Sequence, residues 1–481
     1  MARRKKPSQP PAEAPCAPPP DGILARLGLY GLGSLEPVIL AALATEEPLL
    51  LIGAHGTGKT LLLTRVAEAL GLSFRHYNAS LLNFDDLVGF PLPGKDGTLE
   101  YVRTPAAIWG AGAVIFDEIS RCRPDIQNKL FPVIHERRVQ GLPLTGLRYR
   151  WAAMNPPATE DQDSPYVGSE PLDPALADRF AFVVQMPAWS SLSEAEQLRI
   201  IDSQHGPVAA GIAADLCTRL ERLRQLVPTV RNALDAALPR YVQTLVALLA
   251  QTDLHLSPRR AATLCRTLPA VHAAALAERP DARADDSAWL ALQASLPQRA
   301  EGKAIPEAKV LAAHREAWRL AGVKADDPLR VLLIQPDPLE RLRLAGCTTG
   351  LAKAELSAVV ADALASLQPG ARAAAAVHLF ESEAIGRLNA AVAEQAGELY
   401  RDAVVPVEFS EAITTRSQRY DTWSRIKDLL ARLDPNEPRD VLCANALAAS
   451  FARKELATSA DAAAALNAFR EADQRLRRQA A

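Results

Sequence analysis

Aromatic residues make up only 5% of this 481-residue chain, and no run of about 18 uninterrupted apolar residues occurs in it. A membrane-spanning helix is therefore not expected. The opening MARRKKPSQPPAEAPCAPPPDG is basic and then proline-rich, without the apolar core of a secretory signal. Residues 1–22 read as a disordered tail, and the cytoplasm is the expected location. The six cysteines, Cys16, Cys122, Cys217, Cys265, Cys347 and Cys443, form no CxxC pair and have no histidine at metal-ligand spacing. Zinc and a disulfide framework are not expected, and a reducing compartment fits. The formal net charge is -2, which argues against a surface devoted wholly to nucleic acid.

Hydrophobic residues account for 48% and charged residues for 23%, an ordinary globular mix whose length predicts two to four domains. Residues 23–188 alternate short apolar runs with helical patterns. The expected strands are Pro48–Gly53, Phe74–Ala79, Ala113–Asp117, Arg150–Asn155 and Ala181–Met186. Runs such as LLLIG and AVIF suit strands buried on both faces of a parallel sheet. A helix over Lys59–Leu70, stopped by Gly71, would cover one face. Leu92–Pro105, with Lys95-Asp96-Gly97 as its turn, and Val139–Tyr149 read as inserted hairpins. Residues 189–280 predict a small helical lid domain, with helices over Ser193–Ser203, Val208–Val227, Arg231–Gln251 and Ser257–Glu278. Residues 281–481 are alanine-rich, which favours helix, with short strands expected at Leu329–Ile334 and Val404–Phe409. The expected class is α/β, a sandwich followed by mostly helical regions.

Five motifs carry chemistry. GAHGTGKT, comprising Gly53, Ala54, His55, Gly56, Thr57, Gly58, Lys59 and Thr60, lies between an apolar strand and a helix. That is the setting of a phosphate-binding loop: backbone amides surround the phosphates, Lys59 reaches the β and γ oxygens, and Thr60 offers a hydroxyl to Mg²⁺. In AVIFDEIS, Asp117 and Glu118 end a buried strand and suit the holding of Mg²⁺ and the activation of water. Asn155, in WAAMNP, could touch that water or simply open an Asn-Pro turn. Arg179, in LDPALADRF, could reach a neighbour's γ-phosphate or pair with Asp178. In LSPRRAATL, Ser257 and Pro258 begin a helix, which puts Arg259 or Arg260 in its first turn. Positive charge is unfavourable there, and this hints at an anionic partner.

With these motifs in order, the chain resembles the AAA+ superfamily, and within it the MoxR family, over about residues 28–278. The most telling stretches are GFPLPGKDGTLEYVRTPAAIWGAGAVIFDEISRCRPDIQNKLFPVIHERRVQG and AAMNPPATEDQDSPYVGSEPLDPALADRF. The resemblance implies an ATP- and Mg²⁺-dependent ATPase with an AAA+ P-loop fold. Lys59 and Thr60 then belong to Walker A, Asp117 and Glu118 to Walker B, and Asn155 is sensor 1. Arg179 is the arginine finger, Arg259 the sensor 2 arginine, and Asn78 the polar switch restraining the catalytic glutamate. It further implies a homo-oligomeric, hexameric ring that remodels a protein complex with a von Willebrand factor A domain protein. The DxSxS signature of that partner is absent here, and the length is similar to that of the RavA-like members. A restriction-type or other nucleic-acid motor, a magnesium-chelatase-like subunit and a non-hydrolysing nucleotide-dependent scaffold are the alternatives. Nucleic acid is not expected, because Asp96 and Glu100 offset Lys95, Arg103 and Arg148.

Overall fold

The computed structural model describes residues 22–93, 99–157, 169–203, 206–324, 326–382, 384–407, 413, 415 and 417–478. The N-terminal tail up to residue 21, the Lys95-Asp96-Gly97 turn and the end of the Val404–Phe409 run lie outside the described residues. Contacts divide the chain into two units. One comprises Met1–Ala233 with Ala262–Ile305, the other Leu234–Ala261 with Pro306–Ala481.

The first unit runs through α1 (Ile23–Arg26), α2 (Glu36–Thr45), β1 (Leu49–Ile52), α3 (Lys59–Ala69), β2 (Phe74–Asn78) and α4 (Phe84–Val88). A hairpin of β3 (Phe90–Pro93) and β4 (Leu99–Val102) leads to β5 (Ala113–Asp117) and α5 (Pro124–Glu136). A second hairpin, β6 (Arg138–Val139) and β7 (Leu142–Pro143), precedes β8 (Tyr149–Met154), α6 (Pro174–Ala177) and β9 (Phe182–Gln185). Helices α7 (Glu194–Ile201) and α8 (Ala210–Leu234) follow; α9 (Ala237–Ala250) belongs to the second unit. The chain then passes through α10 (Pro258–Glu278) and α11 (Ala284–Gln293).

Strands β2, β5, β8, β1 and β9 lie in that order in one sheet, and every pairing is parallel. This is why the strands read as unbroken apolar runs: all four residues of β1 and the first four of β5 are buried. Val114, Phe116, Ala152, Met154, Leu176 and Phe180 share one core. Both inserted hairpins are present near the expected segments, as β3 paired with β4 and β6 paired with β7 in antiparallel fashion. Gly89 opens the first at φ 101, where a β-carbon would meet the Val102 carbonyl oxygen at 2.5 Å.

The second unit adds α12 (Glu307–Ala321), α13 (Pro328–Ile334), α14 (Pro338–Cys347), α15 (Lys353–Ala365), α16 (Pro369–Glu381), α17 (Ala390–Val404), α18 (Gln418–Leu430), α19 (Pro438–Ala452) and α20 (Ser459–Arg478) to α9. Leu329–Ile334 is thus helix, contrary to the strand expected there. Periodicity cannot separate a short apolar run in a strand from one in a helix. The start signal settles it: Asp327 caps the helix by accepting from the Arg330 amide, and Pro328 sits in its first turn. Val404 likewise ends α17, with Val405 as its C-cap. Alanine lets α16 and α20 approach closely. Ala373, Ala374, Ala375 and Ala376 are buried, and a methyl group on Gly370 would collide with the Ala465 carbonyl.

Candidate active site

Parallel pairing fixes which residues emerge together at the carboxyl edge of the sheet. Ile52 of β1 stands beside Met154 of β8, and Phe116 of β5 beside Ala152 of β8. The loop after β1, the Asp117–Glu118 corner and Asn155 therefore open on one edge, where open α/β sheets bind ligands. Gly56 and Gly58 adopt φ 75 and 80, and Gly58 delivers the chain into α3, which has no side-chain cap. Its first amides are consequently oriented as anion donors. At Gly53 a β-carbon would meet Met186 Cβ at 2.7 Å and Thr57 Oγ1 at 2.9 Å, so only glycine keeps the loop on the sheet.

Lys59 is 8% exposed. Its ammonium donates to Gly53 O at 2.7 Å, Ala54 O at 2.8 Å and Asn155 Oδ1 at 3.1 Å. Burial pulls its pKa below the usual lysine value, against the opposing pull of Glu118 and Asp117. Thr60 Oγ1 donates to Asp117 Oδ2 at 2.7 Å. Asp117 Oδ1 accepts from the Glu118 amide at 3.0 Å, and His76 Nε2 lies 3.3 Å from Oδ2. Burial alone would raise the Asp117 carboxyl, but the hydrogen bonds from His76, Thr60 and Glu118 hold it below its ordinary range. A hydroxyl and an ionised carboxylate meeting at one point are hard oxygen donors that fit Mg²⁺ shared with a phosphate.

Glu118 takes a left-handed backbone, φ 56 and ψ 38. Its Oε2 is 3.1 Å from Arg121 Nε, and its two carboxylate oxygens lie 3.4 and 3.5 Å from Asn155 Nδ2. Asn155 is 4% exposed, and its carbonyl accepts from Ser169 Oγ at 3.2 Å. One asparagine thus touches both the buried cation and the neighbouring carboxylate.

Lys59, Thr60, Asp117, Glu118 and Asn155 form a single network; the other expected site residues make their described contacts elsewhere. Asn78 sits opposite Asp117 in the sheet, but its Oδ1 accepts from the Ser80 amide at 3.1 Å and the Ser80 hydroxyl at 2.7 Å. Arg179 donates to Ala175 O at 2.5 Å and lies 4.3 Å over the Phe131 ring. In the second unit, Ser257 caps α10 by accepting from the Arg260 amide at 3.0 Å. Arg260 is buried and Arg259 exposed.

Sequence reasoning missed the wall beside the loop. A cavity of about 560 Å³ is lined by Ala54–Gly58 on one side and by apolar residues including Leu29, Tyr30, Leu32, Trp189, Leu192 and Ile200. Its chemistry suits a planar heteroaromatic ring set next to a phosphate cradle. The legible signal was the LGLYGLG run before β1, where Gly31 at φ 76 turns the chain against Leu192. His76 and Arg121 also went unread, being single polar residues outside the motifs.

A glycine-lined loop opening a helix, a buried lysine, a Thr–Asp pair and a strand-end Glu beside an Asn define a P-loop nucleotide-binding domain. Residues 48–180, which hold four of the five strands of the parallel sheet, match the family model described as AAA domain (dynein-related subfamily). Among solved structures, one described as a "putative ATPase" from Cytophaga hutchinsonii aligns over 61% of this chain and 92% of its own at 18% identity, with a TM-score of 0.43. No curated protein matches the chain. Among the described residues, no helix is long and apolar enough to cross a membrane.

Proposed function

We propose that the chain is an ATP-hydrolysing motor of MoxR type. Asn155 carries this reading, because its contacts to both Lys59 and Glu118 couple the phosphate cradle to the water-activating carboxylate. Gly53–Thr60 receives the triphosphate, and the cavity beside Tyr30 and Trp189 takes the base. Thr60 and Asp117 would hold Mg²⁺, which supplies neutralisation of charge on the β and γ oxygens. Glu118 orients and deprotonates the attacking water, while Lys59 and Asn155 fix the γ-phosphate in line.

Arg179 makes its own described contacts to Ala175 and Phe131, outside the Lys59–Glu118 network. Its position just before β9 in LDPALADRF, which resembles an arginine-finger motif, supports delivery to a neighbouring subunit in a homo-oligomeric, hexameric ring. Arg259, exposed in the first turn of α10 where Arg260 is buried, is the sensor 2 arginine of this reading. The domain division it carries is an α/β nucleotide-binding part (23–188), a lid (189–280) and a helical extension (281–481) that recruits the client. The ring remodels a protein complex with a von Willebrand factor A domain partner, in the cytoplasm. Trapping with Glu118→Gln in ATP and Mg²⁺, followed by pull-down from the native source, tests it. Recovery of such a partner or client only with ATP is the expected result, and a Gln variant that hydrolyses at the parental rate refutes the assignment.

A further inference from the structure

Two adjacent carboxylates at the end of a strand point to opposite faces if the strand simply continues. The left-handed turn at Glu118 breaks that alternation. It leaves Asp117 on Thr60 and brings Glu118 beside Asn155. A turned backbone alone does not fix a carboxylate that has further free torsions. The chain closes it from the other side. Residues Ile119–Arg121 form a single 3₁₀ turn in which the Arg121 amide donates to Glu118 O at 2.9 Å. The same turn carries the Arg121 guanidinium back over the carboxylate, with Nε 3.1 Å from Oε2. The two side chains are 41% and 33% exposed, and ion pairs this exposed contribute little to holding a fold together. The contact therefore has its consequence at Glu118 itself.

We propose that Arg121 is a positioning residue for hydrolysis: it clamps the Glu118 carboxylate between its guanidinium and Asn155, so that the base faces the attacking water. This rests on the reading of Glu118 as the water-activating group. Arginine suits the task because its planar fork holds one orientation, whereas an ammonium is a point charge on a flexible stem. Neither Lys59 nor Thr60 bonds Arg121, so the clamp acts on turnover and leaves nucleotide binding alone.

The test compares Arg121→Gln and Arg121→Lys in the full chain, measuring kcat and KM for ATP and, by calorimetry, the affinity for a non-hydrolysable ATP analogue with Mg²⁺. For Arg121→Gln, kcat should fall on the order of 10- to 100-fold, as a misplaced catalytic group costs. Analogue affinity should stay within about twofold, and Arg121→Lys should recover part of kcat. Unchanged or faster turnover in Arg121→Gln overturns the proposal. So does a parallel loss of affinity and kcat, or a lysine variant no better than glutamine. Failure of the underlying reading is separate: a Glu118→Gln variant with parental turnover, or a parental protein without affinity for the analogue, would remove the base before Arg121 is considered.

Discussion

The Thr60 hydroxyl and the Asp117 carboxylate are joined by a 2.7 Å hydrogen bond between the first turn of α3 and the end of β5. Two elements 57 residues apart in sequence thus bring a neutral and a charged oxygen to one point. Removing either should weaken nucleotide binding only where the divalent ion takes part. Thr60→Val and Asp117→Asn are expected to lower ATP affinity on the order of 10- to 100-fold in Mg²⁺, the cost of a lost contact to a charged group. The loss should be smaller in EDTA. Equal losses with and without Mg²⁺ would show that the pair acts on loop structure instead.

Glu118→Gln keeps the shape of the side chain and, under the proposed function, removes the base. Turnover should drop by roughly 10²- to 10⁴-fold, the usual contribution of a positioned general base. ATP affinity should be retained, because Lys59 keeps its described acceptors Gly53, Ala54 and Asn155. Single-turnover hydrolysis beside equilibrium binding separates the two quantities.

Arg179→Ala should lose most turnover while binding ATP. Mixing it with Lys59→Ala, expected to bind nucleotide poorly, should restore part of the rate if the arginine acts across subunits, since each variant supplies what the other lacks. A mixture as inactive as its components would place Arg179 in the service of its own subunit.

Glu36 is buried and accepts from the Ile23 and Leu24 amides at 2.7 and 3.1 Å. Nearby, burial, a hydrogen bond to Glu36 and the Glu36 charge push the Glu278 carboxyl up from 4.5 to about 7. The folded protein therefore holds a proton on Glu278 that the unfolded chain releases, so this contribution is full below 4.5 and is lost as pH rises through about 7. Glu278 keeps substantial solvent contact despite this partial burial, and solvent screening keeps the effect small. Glu278→Gln should flatten the fall in Tm between about pH 5 and 8. An unaltered slope would deny the coupling.

The five sheet strands, both hairpins and the network of Lys59, Thr60, Asp117, Glu118 and Asn155 were legible because each has a local signal. An apolar run of strand length, a turn tripeptide or a polar residue at a strand end can be read without knowing the rest of the fold. Leu329–Ile334 was misread because its apolar run suits helix and strand alike, and the Asp327–Pro328 cap was given no weight. The cavity wall was unreadable for another reason. Tyr30, Trp189 and Ile200 are far apart in sequence and meet only once the chain has passed through the whole sheet. Arg121 and His76 look like ordinary polar surface residues until the register of β2 on β5 and the turn after Glu118 are known.

Gly370 offers a handle on the second unit that leaves the nucleotide cradle untouched. Its missing side chain is what allows α16 to rest on the backbone of α20 at Ala465. Gly370→Ala should act as a wedge costing about 1–3 kcal/mol, the usual penalty of overpacking, read by denaturant unfolding. Under the proposed function, parental ATP binding in such a protein would separate nucleotide loading from the client recruitment assigned to the helical extension.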